Sequence, residues 1–518
     1  MAQTLHIPVD RRNPVPLARQ IQAHLERLIQ ERRLAPGVKL PATRELAREL
    51  GVNRATVTLA YDELVAAGRA RAHVGQGTFV EGPLTATAVP VPARAAAAAG
   101  ESVAVDWSGV LSRAAHIIAG DAARKRPPAL PARPPQGLIS FAGGMPDSGM
   151  FPTDAFRRAL NAVIREEGQE LLQYYPVGGY PPLRRFLSSY LLRAGVEARP
   201  EEILIVNGSQ QGFDLIARTL LDPGDAVAIE QPTYPRAMQV FRSFGARLVP
   251  VPLGDDGPRV DVLERVLERH APKLFYCQPT AHNPTGLTMS AEARRRLLEV
   301  CARRPVAIVE DAFDGGLHYG PRPPAPLKAL DRAGRVVYIG TFSKILFPGL
   351  RLGWVVAPRV VLERLEAAKQ LADIQTSALI QAAVYHFCER RLLERHLGRI
   401  AAEYGRRQRR LLESLAQRMP RDVRWTETRG GFSLLLTLPD GLDAGALLPR
   451  AVARGVSFTP GPAFFADQGG DETLRLSFSS VPGSRIDEGV RRLADVIREA
   501  RRRPRERVES ERAAVPLV

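Results

Sequence analysis

The 518 residues exceed one ordinary domain, so two or three folded units are expected. With 45% apolar and 25% charged residues, the composition is that of a soluble globular protein, and no run approaches the roughly 18 apolar residues of a membrane span. The net charge of +17 points to a polyanionic partner, because neutralised phosphates release counterions, although an arginine-rich solvated surface gives the same excess. The start, MAQTLHIPVDRR, lacks the apolar stretch of a signal peptide. Cys277, Cys301 and Cys388 are far apart and form neither a metal-binding pattern nor a disulfide framework, as suits a reducing cytoplasm. The expectation is a soluble, cytoplasmic chain with no metal and no membrane partner.

The first elements in chain order are three helices. Leu17, Ile21, Leu25, Leu28 and Ile29 share one helical face. After the Pro-Gly turn in LAPGVKLP, a second helix turns Leu46, Ala47 and Leu50 inward and stops at Gly51. Asn53 is placed to cap a third helix, with Val57, Tyr61, Leu64 and Val65 as its buried stripe and Gly68 as its end. Two short helices across a tight Gly turn make a helix-turn-helix. The third helix begins outward with Arg54, Ala55, Thr56 and Thr58, side chains suited to base edges and phosphates. RARAHVGQGTFVEG then reads as strand, Gly turn and strand, with Gly75 and Gly77 allowing close approach to a nucleic-acid backbone.

From PLARQIQ to GQGTFV this stretch resembles the GntR-type winged helix. The resemblance implies double-stranded DNA as partner, with contacts at Arg44, Arg54, Thr56, Thr58 and the wing near Gly75. Ala42 departs from the pattern, which has Ser capping the second helix. A lost cap costs about 1 kcal/mol, and Thr43 could replace it if the helix started one residue later.

Residues 83–137 are rich in Ala and Pro and read as a linker, with 107–118 (WSGVLSRAAHII) as a partly ordered piece able to dock on a neighbour. From 138 to 500, short apolar runs alternate with longer amphipathic ones. Strands are expected at 203–206, 226–229, 273–277, 306–309, 336–339 and 353–356, which implies βαβ units and a mostly parallel sheet. Residues 501–518 form a charged tail. The DNA-reading unit spans 14–82, so the whole is an α/β and α+β multidomain chain.

TFSKILFPGLRLGW, residues 341–354, follows the apolar run VVYIG and sits beyond a strand end, where open α/β sheets bind ligands. Lys344, flanked by Thr341 and Ser343 and followed by Arg351, can bind an anionic aldehyde: the amine takes the carbonyl, and the hydroxyls and guanidinium take phosphate oxygens. Alone, a lysine after a strand is more often just a surface residue. In NGSQQGFDLIA a helix opens at Gly208, Ser209 and Gln210 with N–H groups for a phosphate. In HNPTG, Asn283 can donate to a phenolate oxygen, or simply make a turn. In VAIVEDAFD, Asp311 can hold a ring nitrogen protonated, or cap a helix. In EQPTYPRAM, Tyr234 can stack on a cofactor, or pack in the core.

In this order, from FAGGMPD to LRLSFS, these segments resemble fold-type I aminotransferases, the aspartate aminotransferase superfamily. The resemblance implies pyridoxal 5′-phosphate on Lys344, a phosphate site of Arg351, Ser209, Gln210, Thr341 and Ser343, and a ring held by Asn283 and Asp311. It also implies Arg475 as the clamp for an amino-acid carboxylate, and Tyr174, in LQYYPVGGY, as a residue reaching the phosphate of a neighbouring subunit. Phe313 stands where related regulators carry Tyr, so a donor to the phenolate oxygen is absent and transamination loses support.

A GntR-type reader joined by a linker to such a domain is the MocR-type architecture. It implies a head-to-tail, domain-swapped homodimer whose large domain senses an amino compound, or pyridoxal phosphate itself, and shifts the DNA readers. Two alternatives stand beside it: a working aminotransferase that carries a DNA reader, and a DNA-binding module whose large domain only dimerises.

Overall fold

The computed structural model describes residues 7–10, 13, 15–31, 33–35, 37–66, 69–73, 77–80, 105, 107–124 and 136–502. They belong to two compact units, one running to residue 106 and one from residue 107.

In the first unit, α1 (Leu17–Gln30), α2 (Thr43–Leu50) and α3 (Arg54–Ala66) precede an antiparallel pair, β1 (Ala70–His73) and β2 (Gly77–Val80). Ile21, Leu25, Leu46, Val57, Tyr61 and Leu64 meet in one core. The turn between α2 and α3 works because Gly51 takes φ 61°, a left-handed conformation that costs glycine nothing. Asn53 caps α3 as expected: its Oδ1 accepts from the Ala55 N–H at 3.0 Å. Two expectations fail here. Val65 is 37% exposed, and Ala60 is buried on the stripe instead, one turn before Leu64. Thr43 does not replace the missing cap. Ala42 stays at the cap position without a side-chain bond, and the Thr43 hydroxyl accepts from Arg54 Nε at 3.4 Å. Gly68, expected to end α3, lies outside the described residues.

The second unit is built on an eight-stranded sheet. Its main strands are β3 (Ile203–Val206), β4 (Ala226–Gln231), β5 (Arg247–Gly254), β6 (Leu274–Cys277), β7 (Ala307–Ala312), β8 (Val336–Thr341) and β9 (Gly353–Val356). The order is β3-β9-β8-β7-β6-β4-β5, with Gly257–Pro258 at the edge. β8, β7, β6, β4 and β5 are parallel neighbours. β9 is antiparallel to both β8 and β3. Its reversal follows from chain length: residues 342–352 are too few for a crossover, so the chain must turn straight back. That tight return carries Lys344 and Arg351.

Fully buried strands such as β3 and β9 explain the unbroken apolar runs, since helices cover both faces. β5 was not expected from the sequence, because Pro250 and Pro252 interrupt its pattern. It lies next to the edge and still buries Val249 and Val251. A second, smaller sheet contains β10 (Ser433–Thr437) and β11 (Thr473–Ser477), antiparallel to each other.

Within the stretch read as linker, Trp107–Val110 and α4 (Arg113–Arg124) are helical and belong to the second unit. The helix α5 (Ser209–Leu220) follows β3, and α6 (Pro235–Ser243) follows β4. α4 packs against α6 through its half-buried Ala114, Ala115 and Ile117, while Trp107 stays 70% exposed. No helix among the described residues is long and apolar enough to cross a membrane.

Candidate functional site

Five strands of the large sheet end at one cavity of about 750 Å³. β3 leads to Ser209 and Gln210, β4 to Tyr234, β6 to Asn283, β7 ends at Asp311 and Ala312, and β8 delivers Thr341, Ser343 and Lys344. Arg351 enters from the return before β9, and Arg475 from β11 of the small sheet. The C-terminal ends of parallel strands thus gather side chains from positions 209 to 344, and the small sheet adds Arg475. Tyr174 is the exception: it is 79% exposed and does not line this cavity.

Burial governs the chemistry. Lys344 Nζ donates to Gly144 O at 2.8 Å and sits 3.6 Å from Met145 Sδ. Loss of solvent, with Arg475 and Arg351 nearby, lowers its ammonium to about 8, and Asp311 opposes the shift. Asp311 is fully enclosed, and its carboxyl is pushed up to about 7, first by burial and then by Asp314 and Glu230. Its Oδ2 accepts from the Tyr276 hydroxyl at 2.7 Å, while Oδ1 is buried with no partner among the described residues. A buried carboxylate oxygen left unsatisfied is costly, so a donor is called for there.

Arg475 has a similar deficit of opposite sign. Nη1 donates to Asn283 Oδ1 at 3.0 Å, Nη2 to Ala142 O at 3.0 Å, and the guanidinium lies 5.0 Å from the Phe464 ring centroid. Among the described residues no carboxylate pairs with it, and burial brings it down to about 10. An enclosed cation without a counter-ion invites an anionic ligand.

The third anchor is a cradle at the start of α5. Gly208 precedes the helix at φ 77°, and Arg351 donates to Asn207 O at 3.1 Å. A Cβ on Gly208 would lie 2.8 Å from Arg351 Nη2, so only glycine leaves the guanidinium its place. The helix's first N–H groups, the Ser343 and Thr341 hydroxyls and this guanidinium make a set suited to a phosphate. The Thr341 hydroxyl also accepts from Ser343 N at 3.1 Å, which ties the turn to the strand end. Burial raises the Tyr234 phenol to about 12. Phe313 lines the cavity and brings no hydroxyl to it.

Sequence reasoning missed several members. Tyr276 lay inside an apolar strand run and looked like core. Gln278, whose Oε1 accepts from Asn283 N at 3.2 Å, followed the same strand without a motif of its own. Gly144 and Met145 sat in the quoted FAGGMPD, yet nothing in that stretch signals contact with a lysine 200 positions on.

In the first unit, Arg44 and Arg54 are exposed on α2 and at the start of α3. Thr56 is half-buried; Thr58 is exposed and its hydroxyl donates to Arg54 O at 3.0 Å. Gly75 lies outside the described residues. Lys39, a cation not singled out beforehand, borders the wing with its Nζ 5.9 Å from the Phe79 ring centroid.

Comparison with known proteins agrees with both units. Residues 17–80 match the bacterial regulatory proteins of the gntR family, and residues 145–493 match aminotransferase class I and II. The chain is 32% identical to the probable rhizopine catabolism regulatory protein MocR of Rhizobium meliloti, over 94% of each chain. It is 41% identical to a 2-aminoadipate transaminase of Thermus thermophilus, over 70% of this chain and 90% of that one. A solved α-aminoadipate aminotransferase from Thermus thermophilus, complexed with N-(5′-phosphopyridoxyl)-L-leucine, superimposes with a TM-score of 0.70 at 37% identity, covering 76% of this chain and 99% of that one. A GntR-type helix-turn-helix implies DNA binding. The chain therefore belongs to the MocR-type GntR regulators, DNA-binding proteins that carry a fold-type I aminotransferase domain.

Proposed function

We propose that this regulator holds pyridoxal 5′-phosphate on Lys344 and uses it to sense an amino compound, or the cofactor itself, for the DNA reader. One observation carries the reading. A single cavity joins a buried lysine, an Asp311 oxygen and an Arg475 guanidinium with no partner and no carboxylate, respectively, among the described residues, and a glycine-cleared arginine cradle. The chemistry of these residues fits a group with an aldehyde, a phosphate and a basic ring nitrogen. The related Thermus thermophilus aminotransferase, which holds a phosphopyridoxyl-leucine, adds support.

When bound, pyridoxal phosphate supplies an aldehyde that captures primary amines and a ring that draws their electrons. Lys344, with its ammonium lowered to about 8, keeps a usable neutral fraction near pH 7 for attack on a carbonyl. Arg351, Ser209, Gln210, Thr341 and Ser343 would hold the phosphate. Asp311 Oδ1 would accept from the ring nitrogen, Asn283 would donate to the phenolate oxygen, and Tyr234 would stack on the ring. Arg475 takes the carboxylate of an incoming amine. Arg44, Arg54, Thr56, Thr58 and the wing near Gly75 meet the duplex.

In the proposed division, 14–82 reads DNA, 83–137 links and 138–500 senses, with 501–518 as tail. A domain-swapped homodimer presents two readers to paired half-sites and places Tyr174 at the neighbour's phosphate. The ligand switches the promoter by binding two arrangements with different affinity. The test is a binding assay on the neighbouring intergenic DNA, with and without pyridoxal phosphate and a panel of amines. An affinity that changes with an amine only in cofactor-loaded protein supports sensing. One that never changes contradicts it.

A second reading, a working transaminase, is favoured by the 41% identity to a 2-aminoadipate transaminase over 70% of this chain. Phe313 opposes it. Sustained keto-acid formation from amino acids and 2-oxoglutarate decides for the enzyme.

A further inference from the structure

We infer that Tyr276 is a positioning residue that acts through Asp311: its hydroxyl engages one carboxylate oxygen and leaves the other to meet the ring nitrogen of bound pyridoxal phosphate. This rests on the reading of the cavity given above.

Tyr276 sits in the middle of β6, held on both sides by parallel partners, Ile229 of β4 and Val309 of β7. Its ring is wedged edge-on between Phe213 at 5.7 Å and Phe241 at 5.9 Å. The backbone and the ring are therefore both fixed, and the hydroxyl has one place to be. There it meets Asp311 Oδ2 at 2.7 Å, with both side chains buried. A phenylalanine would fill the same space among the same rings. What the hydroxyl adds is a single bond, and that bond goes to the carboxylate expected to hold the cofactor.

The consequence is directional. Asp311 has two oxygens, and Tyr276 occupies one, so Oδ1 alone remains without a partner among the described residues. Burial, Asp314 and Glu230 drive the Asp311 carboxyl toward its protonated form, and the Tyr276 bond resists them. The phenol keeps its own proton, since burial and the Asp311 charge raise it well above its ordinary range. The donor is thus permanent, and it favours a carboxylate opposite a protonated ring nitrogen.

The test titrates full-length protein with pyridoxal 5′-phosphate, followed by absorption, in wild type, Tyr276→Phe, Asp311→Asn and the double variant. Lys344 and the phosphate cradle remain in all four. Tyr276→Phe is expected to bind roughly 10- to 100-fold more weakly, the size of a lost hydrogen bond to a charged acceptor. In the Asp311→Asn background the same change should cost nothing, because the path through the carboxylate is already cut. With nitrogen-15 in the cofactor ring, the Tyr276→Phe signal should move toward the unprotonated value, while melting curves stay close to wild type. Equal losses in both backgrounds, or an unmoved nitrogen signal, overturn the assignment and leave Tyr276 as packing. Wild-type protein that takes up no pyridoxal phosphate overturns the reading of the cavity, and this inference with it.

Discussion

The two units carry arginines in opposite circumstances. Arg44 and Arg54 stand in solvent on short helices, over a small core whose helices need only present them. Arg475 is enclosed, has no carboxylate partner among the described residues, and is held by carbonyls, an amide oxygen and a ring face. An exposed cation serves a large polyanion that comes to the surface, and its contribution is screened by salt. An enclosed cation serves a small anion that enters, and desolvation raises the stakes of every contact. In the proposed reading, the same side-chain chemistry meets a duplex in one unit and a small anion in the other.

The comparison can be broken, and the largest expected effect is at Lys344. Lys344→Ala should abolish the mass increase left by pyridoxal phosphate after borohydride reduction, with DNA affinity of the cofactor-free protein unchanged. In wild type, cofactor uptake should speed up as pH rises to about 8 and then level off, because the amine must lose its proton first. A rise that continues through the ordinary lysine range would contradict the effect of burial.

Next is Arg475→Ala. It should weaken capture of amino acids roughly 100-fold, the scale of charge-assisted bonds lost at a buried site, while simple amines without a carboxylate are unaffected. Equal losses for both kinds of amine would deny Arg475 its clamp role.

Gly208→Ala should lower phosphate affinity about tenfold, since the new Cβ displaces Arg351 and a positive φ strains alanine by about 1–2 kcal/mol. Inorganic phosphate competition against pyridoxal phosphate measures this. Arg54→Ala should weaken promoter binding and reduce the slope of log affinity against log salt by about one, leaving cofactor uptake intact. An undiminished slope would remove Arg54 from the phosphate contacts.

The smallest effect sharpens the comparison from the DNA side. Ala42→Ser should stabilise the small unit by about 1 kcal/mol, by giving α2 the side-chain cap it lacks. Thermal unfolding of the small unit's signal checks it, and no change in cofactor binding is expected.

Local rules made much of this chain readable. Helix-period stripes located α1 to α3, and unbroken apolar runs located β3, β6, β7, β8 and β9 close to their observed bounds. Periodicity could not separate Val65 from Ala60, because both lie near the edge of the stripe, and in the fold Ala60 is buried while Val65 is 37% exposed. It also missed β5, where two prolines hide a strand that tolerates them beside the sheet edge.

The sequence by itself determined which chemical groups are present, in what order, and which of them stand beyond strand ends or at helix starts. That much follows from local backbone rules and short motifs. Only the tertiary structure decided that Tyr276, buried in a strand, turns its hydroxyl to Asp311, and that Gly144 meets Lys344. It also decided that Arg475 is left without a carboxylate partner among the described residues, and that Tyr174 stands outside the cavity of its own chain. The physical reason is that hydrogen bonds, desolvation and counter-charges depend on neighbours in space, and sheet topology brings together residues that chain order keeps far apart.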